Sequence, residues 1–368
     1  MEQLIVNARF LTQKVAGVQR FAIELSLLLK KHFKQVIFVS PNRILNEHIA
    51  KKLDVVIFGK TTGHIWEQIE LPIFCAKYTN ALLINFCNTA PLLYKKKIVC
   101  IHDLGFMHNP EWFNKKFSLL YNFLIPKIAK TSLKIITVSE YSKKDIIQEL
   151  VIDHDRISVI YNGVAQFFKK QWPNENNNLH LLRENNLDIP YILSVSSLDP
   201  RKNFPALIRA FLDLNNQSVK LVIVGGRYKS FAGFELDNDS IDSKLIEFVG
   251  YVSDEELVYL YQNALFFVYP SLFEGFGIPP LEAMASGCPT LVSDIPSIKE
   301  VCGEASHYIN PTEVESITDG MKKLINNPDL RQQLVKKGLE RAELFSWEAS
   351  AKKLINLINE FYSESNLD

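Results

Sequence analysis

Short apolar, β-branched runs alternate with longer amphipathic stretches along this chain, and the alternation lapses once and then begins again. The first series is Leu4 to Ala8, Val36 to Ser40, Val55 to Phe58, Ala81 to Phe86, Ile98 to His102 and Ile135 to Ser139, each of strand length. Between them, Val18 to Lys31, Phe117 to Ala129 and Lys143 to Leu150 carry apolar residues at helical spacing, the last behind the cap candidates Ser139 and Ser142. Strands separated by helices predict a parallel sheet covered on both faces. A polar stretch, Lys169 to Asn178, then breaks the pattern. The second series follows: Tyr191 to Ser196, Leu221 to Val224, Phe248 to Val252, Leu265 to Tyr269 and Thr290 to Ser293, with helices such as Pro205 to Leu214 and Asp254 to Gln262 between them.

A chain of 368 residues exceeds one ordinary core, since domains average about 100–200 residues. The predicted class is α/β, with two doubly wound, Rossmann-like domains facing across a cleft. Residues 1–168 form the first, 169–185 a linker and 186–345 the second, and helices from about Val314 through Tyr362 close the chain with Leu354, Leu357, Ile358 and Phe361 on one buried face. Open α/β sheets bind ligands at the carboxyl ends of their strands, so the loops after strands are where function is sought.

Net charge is zero, yet residues 1–165 hold 22 Lys and Arg against 13 Asp and Glu, while the remainder holds 19 against 28. A basic half joined to an acidic half predicts domains that face different partners. The five cysteines lack any CxxC pair and read as reduced, packed thiols. No apolar run approaches the ~20 residues that span a bilayer, and Met1 to Phe10 lacks a signal-peptide pattern, so a cytoplasmic protein is expected. Lysines 115, 116, 127, 130 and 134 flank Phe117, Leu120, Tyr121, Phe123 and Leu124, the composition of an interfacial helix on the inner face of a membrane. Lys95-Lys96-Lys97 reads as a solvated lead-in to a strand, and Trp66 as a packing residue.

The densest chemical signal is Ser271-Leu-Phe-Glu274-Gly-Phe276-Gly277-Ile278-Pro-Pro-Leu281-Glu282, directly after a predicted strand. Gly275 and Gly277 permit a tight turn, and Pro279 and Pro280 suit a first helical turn, where a missing N–H costs little. The free amides of that turn favour an anionic ligand. Glu274 in the loop and Glu282 about one turn into the helix address different parts of one elongated ligand. Glu282 suits a ribose diol, because a carboxylate accepts two hydroxyl hydrogen bonds together. A second cluster, Ser196-Ser-Leu-Asp-Pro200-Arg201-Lys202-Asn203, comes immediately after the first strand of the second series. Its forked and point cations neutralise a diphosphate without a metal.

The Glu-x7-Glu spacing, the DPRKN turn and Gly225-Gly226 resemble the C-terminal domain of family 4 retaining glycosyltransferases, which implies the GT-B fold. In the first half Gly17-Val18-Gln19-Arg20 resembles the family's glycine loop, and Trp66-Glu67-Gln68 and Ile101-His102-Asp103-Leu104 its acceptor-side motifs; Thr137 to Ser142 and Ile160 to Gly163 match as well. The similarity covers essentially the whole chain to Ser346-Trp347, where family members send a final helix, here 346–368, back onto the first domain. Ser196-Ser197 stands where many relatives carry Gly-Arg, which shifts that phosphate contact to Arg201 and Lys202, as in the subset resembling bacterial O-antigen mannosyl- and rhamnosyltransferases.

The resemblance implies a metal-independent hexosyl or deoxyhexosyl transferase acting in cell-surface polysaccharide synthesis. Its donor is a nucleotide sugar, GDP-mannose favoured, and its acceptor a saccharide or polyprenyl-diphosphate-linked glycan. No further cofactor and no nucleic acid are expected, and an anionic membrane surface is. Glu274 and His102 are the implied catalytic residues. Arg201, Lys202, Glu282, Gly17, Phe276, Gly277, Ile278 and Leu281 are the implied donor-binding ones. A nucleotide-sugar epimerase and a non-catalytic glycan-binding subunit stay open at this point.

Overall fold

The computed structural model describes residues 3–170, 189–226 and 245–365; apart from Lys169 and Lys170, the expected linker lies outside them. The chain forms two compact units, Met1–Met107 with Leu119–Gly163 and Ser346–Asp368, and His108–Ser118 with Val164–Phe345.

In the first unit, β1 (Leu4–Asn7), β2 (Val36–Ser40), β3 (Val56–Ile57), β4 (Leu82–Asn85), β5 (Lys97–Cys100), β6 (Lys134–Thr137) and β7 (Ile157–Val159) form a seven-stranded sheet in the order β3-β2-β1-β4-β5-β6-β7. Every pairing is parallel. The second unit repeats the plan with six strands, β8 (Tyr191–Val195), β9 (Lys220–Val224), β10 (Ile246–Gly250), β11 (Phe266–Tyr269), β12 (Thr290–Ser293) and β13 (His307–Ile309), ordered β10-β9-β8-β11-β12-β13. These too are all parallel. Both strand sets are nearly solid apolar runs because helices cover both faces. Each fully buried Phe, Leu or Ile contributes roughly 1.5–3 kcal/mol against its exposure in the unfolded chain.

Sequence pattern placed these elements closely and missed in instructive ways. The short edge strands β7 and β13, three residues each, carry too few residues to show a period. Strand β10 starts two residues earlier than its apolar pattern suggests and ends at Gly250, where a register shift and a φ of +77° stop the ladder. Ser139 is the cap of the helix Glu140–Leu150, accepting from the Ser142 N–H at 2.9 Å, so Ser142 lies in its first turn. In the first unit the last helix, Trp347–Ser365, packs on the helix Gly17–His32, with the Trp347 and Phe21 rings 6.0 Å apart.

One expectation is overturned. Lys97 is not solvated: it is wholly buried, and its Nζ donates to the Tyr94 carbonyl at 2.8 Å and Thr131 Oγ1 at 3.0 Å. Burial without a carboxylate partner pulls its pKa down to about 8. The residue opens β5, and the inward side of a pleated strand admits the long stem while carbonyls meet the ammonium. Among the described residues no helix is long and apolar enough to cross a membrane, and all five cysteines are free thiols.

Candidate functional site

Strand order reverses direction between β8 and β11 in the second unit, leaving a crevice at their carboxyl ends. The loops that leave those two strands carry the two motifs singled out in the sequence, and they are stapled together. Lys202 Nζ donates to Glu274 Oε1 at 2.5 Å and to the Tyr269 hydroxyl at 2.8 Å. Tyr269 and Ser271 donate to the same Glu274 oxygen at 2.8 and 2.6 Å. The main chain adds a further clasp, Leu272 N–H to the Arg201 carbonyl at 2.7 Å. Lys202 and Glu274 are each only 8% exposed, so water competes little for this pair. Burial alone would raise the Glu274 pKa, but the charges of Lys202 and Arg201 and these hydrogen bonds hold it below its usual 4.5. The group is a fixed anion.

Arg201 is steered from beneath. Asp199, itself buried, caps its own turn by accepting from Arg201 N–H at 3.1 Å and holds Arg201 Nε at 3.2 Å. Ser197 Oγ donates to the other Asp199 oxygen at 2.6 Å, so the serine pair supports the arginine through Asp199. The segment His108–Ser118, which belongs to this unit, lays the Phe113 ring 5.7 Å from the Arg201 guanidinium and the His108 ring 5.8 Å from Phe273. Ser271 and Asp199 lie inside the two sequence motifs without a role assigned to them there, and Tyr269 and Phe113 stand outside both. Asp199 alone carried a signal, its position two residues before Arg201 as an N-cap type.

The turn after Glu274 is shaped by glycine. Gly277 has φ +111° at the N-cap of the helix Ile278–Ala285, and a Cβ there would meet Ile298 Cδ1 at 2.5 Å. Phe276 is buried with its ring edge on Phe345, 5.7 Å away, so this stretch offers a ligand its main chain. Leu281 is wholly buried and its N–H bonds the Gly277 carbonyl at 3.4 Å, so it supports the turn from below, while Ile278 at the helix start is half-buried. Glu282 is half-buried one turn on and hydrogen-bonds the buried Tyr261 hydroxyl. At the end of β9, Gly225 has φ +136°, and a Cβ would strike the Ser196 carbonyl oxygen at 1.8 Å. Only glycine lets these two strand ends lie that close.

The first unit places His102 just past β5 and Gly17 at the exposed start of the helix Gly17–His32, whose Phe21 ring stands 5.1 Å from the His102 ring. Burial lowers the His102 pKa below 6.5 despite the nearby Phe86 carbonyl and Asp103. Its Nε2 lies 2.8 Å from the Phe86 carbonyl, which can only accept, so the neutral ring carries its proton on Nε2 and its lone pair on Nδ1. At the switch point of this sheet, between β1 and β4, lies a second buried pair. Arg9 Nε donates to Glu67 Oε2 at 3.1 Å and Arg9 NH2 to Thr89 Oγ1 at 3.0 Å. Asn7 at the end of β1 bridges Glu67 and Asn85 at 3.1 and 3.0 Å. Burial opposes ionisation of Glu67, yet Arg9 and its hydrogen bonds pull its pKa down to about 2. Trp66 is buried with Nε1 on the Phe58 carbonyl at 2.7 Å, and Gln68 is spent on Ala90 and Leu92.

Comparison with known proteins bears on both units. Residues 15–165 match the model of Glycosyltransferase Family 4, and residues 182–341 that of Glycosyl transferases group 1. The O-antigen chain mannosyltransferase B of Escherichia coli is 30% identical over 271 residues, 72% of this chain and 71% of that protein. The O-antigen chain mannosyltransferase RfbU of Salmonella typhimurium is 34% identical over 247 residues, 66% of this chain and 64% of that protein. Among solved structures, Anabaena HepE in complex with UDP-glucose superposes with a TM-score of 0.76 at 14% identity, covering 98% of this chain and all of that one.

Proposed function

We propose, because this chain belongs to glycosyltransferase family 4, that it transfers mannose from GDP-mannose to a lipid-linked saccharide in O-antigen-like polysaccharide synthesis, with retention of anomeric configuration and without a metal. That the chain is a glycosyltransferase of two Rossmann-like domains follows from the family matches and the two parallel sheets. The donor is proposed from the names of the two mannosyltransferases it resembles. The observation that carries the mechanism is the stapled cluster Arg201, Lys202 and Glu274 at the β8/β11 crevice.

In this reading Arg201 and Lys202, with the main-chain amides around Phe276 and Gly277, hold the diphosphate. Preorganised cations cost no reorganisation as charge builds on the leaving oxygen. Glu282 accepts the ribose hydroxyls. The bond from the anomeric carbon to the diphosphate oxygen breaks, the acceptor oxygen bonds the same face, and the acceptor proton passes to the departing diphosphate. Glu274 orients sugar hydroxyls instead of attacking, since one of its oxygens already accepts from Lys202, Tyr269 and Ser271. His102, neutral with its lone pair on Nδ1, accepts from a sugar hydroxyl and stabilises the oxocarbenium-like transition state.

The test is the product made from GDP-mannose in EDTA, with the anomeric configuration read by proton NMR. An α-linked mannoside formed at full rate in chelator is expected. A β-linked product overturns retention, and inhibition by EDTA that manganese or magnesium reverses overturns metal independence. Conversion of the nucleotide sugar to an epimer without any acceptor would displace the transferase reading altogether.

A further inference from the structure

Three isoleucines, Ile65, Ile69 and Ile73, are 61%, 57% and 56% exposed on one continuous helical run made of Gly63–Ile65, the π-helical Trp66–Glu70 and Leu71–Cys75. The widened turn at Trp66–Glu70 brings the repeat of this run close to four residues, so the three side chains line up. The other side of the run buries Trp66, Leu71, Phe74 and Cys75 in the core of the first unit. Its neighbour is the helix Lys115–Thr131, met where the His64 and Tyr121 rings stand 5.8 Å apart. That helix buries Tyr121, Leu124, Ile125 and Ile128 and leaves Leu119, Leu120 and Phe123 exposed.

Leu93, 85% exposed, sits on the loop between β4 and β5, which is bonded to both the isoleucine run and the helix Lys115–Thr131. Gln68 fixes one side of this loop, bonding the Ala90 carbonyl and the Leu92 N–H at 2.9 Å each. Buried Lys97 fixes the other, tying Tyr94 to Thr131 at the helix end. Scattered exposed leucines are ordinary, but an apolar ridge held beside an apolar loop tip and an apolar helix face marks an interaction surface. Its rim is basic. The helix Lys115–Thr131 contains four lysines and no acid, and Lys95 and Lys96 follow Leu93. Lys127 Nζ lies 3.4 Å over the exposed Phe123 ring. The half-buried acid on the isoleucine run, Glu70, is taken up by the Lys60 and Thr61 amides at 2.9 and 3.0 Å.

We propose that this surface docks the protein on an anionic lipid bilayer, with Ile65, Ile69, Ile73 and Leu93 entering the interface and the lysines meeting headgroup charge. The proposal deepens the lipid-linked acceptor reading above and relocates the contact. Tyr121 and Leu124, expected from the sequence to face lipid, are buried, and the isoleucine ridge takes their place. A second copy of the chain is the poorer occupant, because a two-fold contact through this patch sets one lysine rim against another.

The experiment is cosedimentation of the full chain with vesicles of phosphatidylglycerol and phosphatidylcholine, in parallel with vesicles of phosphatidylcholine alone. Binding to the anionic vesicles that weakens as salt rises is expected. The triple variant Ile65→Ser, Ile69→Ser, Ile73→Ser should lose roughly tenfold or more in partition, with its stabilisation by GDP-mannose unchanged. Leu93→Asp serves as an independent variant should the triple fold poorly, and should weaken binding in the same direction. Wild-type partition by either variant, or no preference of the native chain for anionic vesicles, overturns the proposal. So does a native dimer that the triple variant converts to monomer, which assigns the ridge to a second copy. Vesicle binding is read without acceptor: a chain that binds vesicles yet glycosylates only soluble saccharides defeats the acceptor reading and leaves the surface standing. Transfer to a lipid-linked acceptor without vesicle binding does the reverse.

Discussion

The two units carry a buried ion pair at the same topological position, the switch point of a parallel sheet, and the pairs are built differently. Arg9–Glu67 in the first unit is enclosed by groups of its own unit: Asn7 donates to the Glu67 oxygen that Arg9 holds, Arg9 donates to Thr89, the His64 Nδ1 stands 3.5 Å from the other Glu67 oxygen, and Glu67 is 1% exposed. Lys202–Glu274 in the second unit joins the turns that follow two strands, where Arg9–Glu67 joins the turn after β1 to a helix, and it stands beside a second cation, Arg201. A buried pair costs desolvation and is weak evidence for stability on its own account. The first pair is therefore read as a device that sets the geometry of its crevice. The second pair holds two cations and a carboxylate ready for a ligand whose arrival adds negative charge. The difference teaches that position in the fold does not assign a role; what the pair leaves available to a ligand does.

The largest effect expected is at Lys202. Lys202→Ala leaves Glu274 buried without its cation and should lower turnover on the order of a thousandfold while costing about 3–5 kcal/mol of stability. Combining it with Glu274→Gln should restore much of the stability and none of the turnover, read by thermal melting and steady-state kinetics. Full recovery of activity in the double variant would reduce this pair to the structural status of the first.

Arg9→Ala tests the other side of the comparison. It should also cost about 3–5 kcal/mol, with donor affinity within a factor of about two of native, since its partners are confined to the first unit. A strong, selective loss of donor binding in a well-folded Arg9→Ala protein would erase the distinction between the pairs. Smaller is Glu282→Gln, which should weaken GDP-mannose binding by roughly ten- to a hundredfold with turnover at saturation less affected, whereas Glu274→Ala should strike turnover more than affinity. Titration calorimetry beside kinetics separates the two.

The mildest effect is on pH dependence. His102 has a depressed pKa, so its neutral form persists in the folded protein and the stability this contributes is present above pH 6.5 and lost as pH falls below it. Activity should fall on the acid side with a limb below pH 6.5, and His102→Asn should remove that limb from the kcat profile. Glu274, also depressed, contributes stability present above pH 4.5 that is lost as pH falls through its lower folded value.

Much of this was legible in the sequence, unevenly. The alternation of strand and helix is a short-range signal, so the sheets and most strands were placed by pattern, and Glu274 and Glu282 stood out because one turn and one helix carry them. Tyr269 and Ser271, which hold Glu274 in place, are a strand residue and a loop residue without individual signal, and Asp199, which holds Arg201, shows only as an N-cap type. Arg9, Glu67 and the pair Asn85 and Thr89 come from three separate stretches that only the sheet brings together. Lys97 was misread because a lysine run looks solvated until the pleat turns one member inward. The isoleucine ridge was invisible because three apolar residues on a helix look like core.

The account's central claim is that the stapled loops of the second unit grip the donor, and it is tested most directly by thermal denaturation with GDP-mannose in EDTA. At a hundred times its Kd the ligand should stabilise the native chain by about 2.7 kcal/mol, and the folded Lys202→Ala, Glu274→Gln double variant should gain almost nothing. Equal stabilisation of both proteins would contradict the claim, as would a native chain that no nucleotide sugar stabilises.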